Sequence, residues 1–207
     1  MSFRPLPDYP RRAHLDFYRR HPSPFYATNF ELDAARLRAR LASGGHSSYA
    51  GFCWAFHRAL LEVPAFRVRL VDDEPVLFDG LRLGLTVPAP GRTFSFATLE
   101  WEADAERFLP RAAAAMAAAS GRIDLSGGKE PDFAYYTAIP GVPFTGFTHV
   151  TNPDPTAGQP QIAFGRFTRR GRTLALPVGV QVNHLYVDGA DLGDLYQAAQ
   201  RSFHTAF

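Results

Sequence analysis

Cysteine occurs once in this 207-residue chain, at Cys53, so no disulfide can form within it and a cysteine-built zinc site is excluded. Lysine also occurs once, at Lys129 in a glycine-rich stretch, so nearly all of the 22 basic residues are arginine. The 20 acidic residues leave a net charge of only +2. That balance speaks against nucleic acid as a partner, which calls for a basic excess or stripe, and the cluster Arg166, Arg169, Arg170 and Arg172 reads as a solvated turn. The seven histidines show no ligand spacing, so no metal site is expected. No apolar run approaches bilayer length; the alanine-rich stretch 112–119 ends at Ser120-Gly121 and reads as the end of a helix. The opening MSFRPLPDYPRR has no apolar core of the signal-peptide kind. The expectation is a protein of the reducing cytoplasm, away from membranes.

What is present is the material of a folded core. Hydrophobic residues make up 46% and charged residues 20%, which fits one domain over 1–207. Patterning predicts helices over 10–20, 31–45, 47–62, 103–119 and 190–204. In the third of these segments Ser47 or Ser48 caps a stripe of Phe52, Cys53, Phe56 and Leu60, and Pro64 ends it. Pro110 marks a kink or false start in the 103–119 helix. Strands are expected at 25–30, 66–71, 75–78, 83–88, 93–101, 132–138, 144–150, 161–168 and 172–182, with VDDEP turning a hairpin at 71–75. The last strand alternates cleanly through Leu174, Leu176, Val178, Val180 and Val182; its Pro177 predicts an edge or a bulge. The sum is an α+β fold in two layers, a large mixed β-sheet covered by helices.

The stretch from Gln181 to Gly189 carries the chemistry. His184 has the parity of Leu174 to Val182, so the strand delivers an imidazole at its very end, just before Asp188-Gly189 turns the chain into the last helix. A rigidly held imidazole opening into a cleft is suited to general-base work near pH 7. Taken alone, a histidine at a strand end is more often a hydrogen-bonded core residue, and Asp-Gly is simply a turn.

His184-Leu-Tyr-Val-Asp188-Gly189 resembles the His-x-x-x-Asp-Gly motif of the chloramphenicol acetyltransferase family, which is shared by the dihydrolipoyl acyltransferase cores. Further segments are similar in the same order: RRAHLDFY from Arg11 to Tyr18, PAFRVR from Pro64 to Arg69, Asp72-Asp73-Glu74, Phe78-Asp79, Thr93-Phe94-Ser95, YYTAIP from Tyr135 to Pro140, and Leu176-Pro177-Val178 with Gln181-Val182. The resemblance spans nearly the whole chain and favours the antibiotic-type branch. It implies the CoA-dependent acyltransferase fold and an O-acetyltransferase that uses acetyl-CoA, with chloramphenicol as first acceptor and another hydroxylated small molecule as the alternative.

Carried over position by position, the resemblance makes His184 the base that deprotonates the acceptor hydroxyl. Thr137 stands where the family has an oxyanion-binding serine. Arg11 is implied as the partner of Asp188, so Asp188→Asn is expected to lower activity by disordering the site. Phe17, Tyr18, Tyr26, Phe94 and His149 match the acceptor pocket, and Tyr49, Arg166 and Phe167 match the CoA side. Departures are Ala163 for a threonine, Gly84 for a pocket glutamine, Gly141 for a tryptophan, His149 at a position usually apolar, and Asn183 before the histidine; each is expected to alter the acceptor pocket. The family implies a homotrimer with sites between subunits, binding a small-molecule acceptor. The rival readings are a catalytically silent binding protein on the same scaffold, a dihydrolipoyl-type acyltransferase and, furthest off, a nucleic-acid module.

Overall fold

A computed structural model describes residues 1–128 and 130–205; Lys129 lies outside the described residues. In chain order the elements are β1 (Phe3–Pro5), α1 (Arg12–Tyr18), β2 (Phe25–Asp33), α2 (Ala35–Ser43), α3 (Ser48–Glu62), β3 (Val68–Val71), β4 (Glu74–Phe78), β5 (Arg82–Ala89), β6 (Thr93–Glu100), α4 (Ala105–Ser120), β7 (Phe133–Ile139), β8 (Gln161–Gly165), β9 (Thr168–Arg170), β10 (Thr173–Asn183) and α5 (Gly189–Thr205). The main sheet runs β2-β10-β8-β7-β5-β6, with β9 added to β10, and the smaller sheet runs β1-β4-β3. The main sheet is mixed: β5-β7 and β7-β8 pair parallel, the rest antiparallel. Helices α2, α3, α4 and α5 pack on one of its faces, and the α+β two-layer expectation holds.

Strand periodicity decides which side chains enter that layer. Leu174, Leu176, Val178, Val180 and Val182 are all buried, and α3 buries Phe52, Cys53, Phe56 and Leu60 against them and their neighbours. Ser47 is the cap of α3, its hydroxyl accepting from the Ala50 amide. The alternate face of the sheet carries small and polar residues instead. One row across it is Thr137, Ala163, Gly179 and Asn29.

Several boundaries differ from the sequence expectations, each for a local reason. Residues 31–33 belong to β2, because Leu32 pairs with Leu176 and Asp33 turns the chain: its Oδ1 accepts from the Ala35 and Leu174 amides at 3.0 Å each. Residues 66–67 close a short 3-10 turn, so β3 begins at Val68. The β3–β4 turn is built on Asp72 and Asp73, both with positive φ (50° and 67°), the backbone of a tight two-residue hairpin. Pro110 lies inside a continuous α4. Segment 144–150 is not a strand; its Phe147 and His149 amides are held by Asn29 and Gln181 side chains (3.0 and 2.9 Å), so it lies over the small-residue face of the sheet. The expected strand 161–168 breaks at residues 166–167. Pairing passes from Val178↔Phe164 to Ala175↔Thr168, so the β8–β9 side carries one residue more than β10, and Pro177 faces that bulge.

The core holds a neutral imidazole at His57. His57, fully buried on α3, has Nε2 2.9 Å from the Leu81 carbonyl and Nδ1 2.9 Å from the Tyr136 hydroxyl. A carbonyl can only accept, so Nε2 carries the proton and Nδ1 accepts from Tyr136. Burial lowers the His57 pKa from 6.5 to about 3. In the unfolded chain the ring takes a proton below its ordinary value, while the folded one refuses it. This contribution is therefore present above about pH 6.5 and is lost as pH falls toward 3, by on the order of a few kcal/mol. Urea midpoints measured from pH 7 to 4 are expected to fall through this window, and to fall less in His57→Gln; a flat profile for the wild type contradicts the assignment.

Candidate active site

Strand β10 ends at Asn183, and His184 follows with its amide donating to the Pro24 carbonyl at 2.9 Å. The imidazole stacks on Tyr18 (centroids 4.2 Å, 10° between planes) and leans on Tyr26 (4.5 Å, 34°). Phe17 stands edge-on to Tyr18 at 5.1 Å and is half exposed, forming the outer rim. The His184 Nδ1 is buried without a hydrogen-bond partner, which leaves the Nε2 edge of the half-buried ring for an incoming group. Tyr26 donates to the Val187 carbonyl at 3.2 Å, and burial pushes its hydroxyl pKa up to about 12, so it is a donor at neutral pH.

The turn from His184 to Asp188 is held from several sides. Asn183, itself buried, donates to the Pro155 and Ala157 carbonyls (2.8 and 3.0 Å) and accepts from the Leu185 amide (2.9 Å). Those three bonds occupy its side chain, so Asn183 shapes the turn that carries His184. Arg11 donates to the Tyr186 carbonyl at 2.8 Å and meets Asp188 at 3.4 Å. The Asp188 carboxyl is held below its usual range, first by the hydrogen bond from the Gly189 amide and also by Arg11. Sequence reasoning missed a second carboxylate here, Asp191, which lies 2.7 Å from Arg11. Its signal was the spacing Asp188-x-x-Asp191 at a helix start.

Thr137 sits on β7, and Thr86 on β5 donates to its hydroxyl at 2.8 Å. The β5–β7 ladder ends at Leu85↔Tyr136, and beyond it the Tyr49 hydroxyl donates to the Tyr136 carbonyl at 2.7 Å. Burial drives the Tyr49 pKa well above its ordinary value. Arg166 and Phe167 are exposed in the bulge just past the end of β8, near the same end of the sheet. Phe94, half exposed, lies on edge strand β6 opposite Pro88, also toward that end. Thr86 was not found from sequence, because only the parallel β5–β7 register brings it to Thr137.

The predicted residues thus form two groups. Arg11, Phe17, Tyr18, Tyr26, His184 and Asp188 gather at one end of the sheet; Tyr49, Phe94, Thr137, Arg166 and Phe167 gather toward the other. His184 lies five residues along β10 from Gly179, and Thr137 lies two strands across from Gly179. With strand rise and spacing, the two are on the order of 20 Å apart within one chain. His149 lies over the sheet between them, its Nε2 buried and unpartnered, and burial lowers its pKa to about 4, which keeps it neutral. Of the departures, Gly84 has a direct reason: an added Cβ would come within 2.7 Å of the Tyr135 ring. The ring fills the space a longer side chain would take.

A family model described as chloramphenicol acetyltransferase matches residues 4–200. Among curated relatives, the chloramphenicol acetyltransferase of Streptomyces acrimycini is 31% identical over 188 residues, covering 89% of this chain and 86% of its own. Chloramphenicol acetyltransferase 2 of Escherichia coli is 28% identical over 183 residues, covering 86% and 85%. A solved chloramphenicol acetyltransferase superposes with a TM-score of 0.90 at 20% identity, over 98% of this chain and all 100% of that one. A dihydrolipoamide acetyltransferase from Azotobacter vinelandii gives 0.72 at 13% identity, over 94% and 86%. The architecture is that of the CoA-dependent acyltransferases. The chain belongs to the chloramphenicol acetyltransferase family and is an acyltransferase. Among the described residues no helix is long and apolar enough to cross a membrane.

Proposed function

We propose that the protein moves an acetyl group from acetyl-CoA to a hydroxyl of a small aromatic acceptor, with chloramphenicol as the first candidate. His184 takes the hydroxyl proton on Nε2 as the oxygen attacks the thioester carbonyl carbon. The tetrahedral oxyanion is stabilised by the Thr137 hydroxyl, whose own proton is free because Thr86 supplies the one it accepts. The C–S bond then breaks, the leaving thiolate takes the proton back from the imidazolium, and the products are an acetate ester and free CoA. Arg11 and Asp188 hold the histidine turn. Phe17, Tyr18, Tyr26, Phe94 and His149 bind the acceptor, and Tyr49, Arg166 and Phe167 bind CoA.

The observation that carries this reading is the His184 ring, stacked on Tyr18 with its Nε2 edge free. The separation of His184 from Thr137 supports a site shared between copies of the chain. Base and oxyanion donor each need hydrogen-bond contact with the reacting atoms, about 3 Å. Groups on the order of 20 Å apart in one chain cannot both serve one carbonyl. A homotrimer, one 1–207 domain per subunit, brings the histidine end of one subunit against the threonine end of the next. A protein whose only cysteine is buried suits a reducing cytoplasm.

The test is release of CoA thiol from acetyl-CoA with a panel of hydroxylated acceptors, together with chloramphenicol tolerance of a sensitive host expressing the gene. Acceptor-dependent thiol release and raised tolerance are expected. Thiol release without tolerance removes chloramphenicol and keeps the transfer. Tight ligand binding with no turnover identifies the silent binding protein instead.

A further inference from the structure

Arg11 does not make its closest contact with the motif aspartate. Its Nη1 lies 2.7 Å from Asp191 Oδ2, whereas its Nη2 stands 3.4 Å from Asp188 Oδ2. The shorter contact is a charge-assisted hydrogen bond of full strength; the longer is marginal. Exposure follows the same order, with the Asp191 side chain 24% exposed and that of Asp188 49%, so solvent screens the Asp188 contact more.

Asp191 Oδ2 also accepts the backbone amide of Asp188 at 2.7 Å. The Leu192 amide closes the first helical bond of α5 on the Asp188 carbonyl at 3.1 Å, which makes Asp188 the cap and Asp191 the third residue of the helix. A third-position carboxylate reaching back to the cap amide is one half of a capping box. An anion in the first turn is also favoured by the helix dipole. A single oxygen therefore holds the start of α5, the end of the histidine turn and the guanidinium of Arg11.

Arg11 immediately precedes α1, the helix that carries Phe17 and Tyr18. Its Nη1 joins Asp191 to the Tyr186 carbonyl inside the histidine turn. The contact thus fixes α1 relative to that turn, and with it the stacking of Tyr18 on His184 at 4.2 Å. We propose that Asp191 is the positioning residue that locks α1 to the histidine turn and so sets the His184–Tyr18 stack, with Asp188 secondary to it. The consequence for catalysis rests on the reading of His184 as the base; the consequence for the ring stack does not.

The test compares Asp191→Asn, Asp191→Glu and Asp188→Asn. Misplacing a catalytic group by about 1 Å costs up to roughly 100-fold in rate. Asp191→Asn is expected to lower kcat by about 10- to 100-fold with KM for acetyl-CoA within about twofold, and Asp191→Glu to recover most of it. Asp188→Asn, which removes the longer and more exposed contact, is expected to lower kcat by a clearly smaller factor than Asp191→Asn. The second readout needs no turnover: in protein labelled with 13C at histidine Cε1, the His184 proton carries an upfield ring-current shift from Tyr18. Asp191→Asn is expected to lose most of that shift, and Asp188→Asn to keep it. Arg11→Gln removes the same contact from the other side and is expected to reproduce the loss, also where Asp191→Asn does not fold. A shift lost only in Asp191→Asn and Arg11→Gln, in a protein that acetylates nothing, upholds the positioning role and sinks the enzymatic reading. The proposal is overturned if Asp188→Asn disturbs kcat or the ring shift as much as Asp191→Asn, or if Asp191→Asn leaves both unchanged.

Discussion

His184→Ala is expected to lower kcat by roughly 10²- to 10⁴-fold while leaving the fold and the melting temperature close to wild type. The first part follows from the imidazole's place at the end of β10, with Nδ1 buried and unpartnered and Nε2 left for the acceptor hydroxyl. The second follows from its contacts. The ring is half buried, makes no side-chain hydrogen bond among the described residues, and packs on Tyr18 and on Tyr26, which keeps its own bond to the Val187 carbonyl. Losing a stacked ring costs about 1 kcal/mol or less, small against total stability. Steady-state rates with saturating acetyl-CoA and circular dichroism melts check both halves. Retained turnover in the alanine variant removes His184 as the base.

Thr137→Ala is expected to cost roughly 10²- to 10³-fold in kcat, the range found when one oxyanion donor is removed, and Thr137→Ser to keep most of the activity. Serine preserves the hydroxyl that Thr86 addresses at 2.8 Å; alanine leaves Thr86 without its acceptor. The two variants also test where the site is. Chains with His184→Ala and chains with Thr137→Ala, each nearly inactive, are expected to regain about a quarter of wild-type activity when co-assembled at equal amounts. A functional site then needs its histidine from one kind of chain and its threonine from the other, and random assembly satisfies this about one time in four. If each site lay within one chain, no chain in the mixture would hold both residues and activity would stay at the level of the separate variants.

Much of the histidine end of the site is written in short stretches of chain. The parity of Leu174 to Val182 carries straight on to His184, because a strand alternates its faces with a period of two. Tyr18 and Arg11 lie within one short helical segment, so their joint arrival at His184 needs only that α1 dock once. The threonine end is different. Thr86 meets Thr137 through a parallel register between strands 51 residues apart, which no local pattern encodes. The same holds for segment 144–150. Its composition reads as a strand, yet its amides are held by Asn29 and Gln181 from other strands and it forms no ladder. Asp191 is an intermediate case: its capping spacing is visible in the sequence, but its grip on Arg11, 180 residues away, is not.

The sequence by itself determined the class of fold, the strand that ends in His184, the exclusion of intrachain disulfides and, through its resemblances in order along the chain, the family. These rest on local periodicity, turn chemistry and residue identity, which are fixed before any long-range contact forms. Only the tertiary structure decided which carboxylate Arg11 holds, what Thr137 is bonded to, and that His184 and Thr137 stand five residues along and two strands across from one another on one sheet. Those are matters of register and docking between distant segments, where a shift of a single residue changes the partner without altering the pattern that sequence can display.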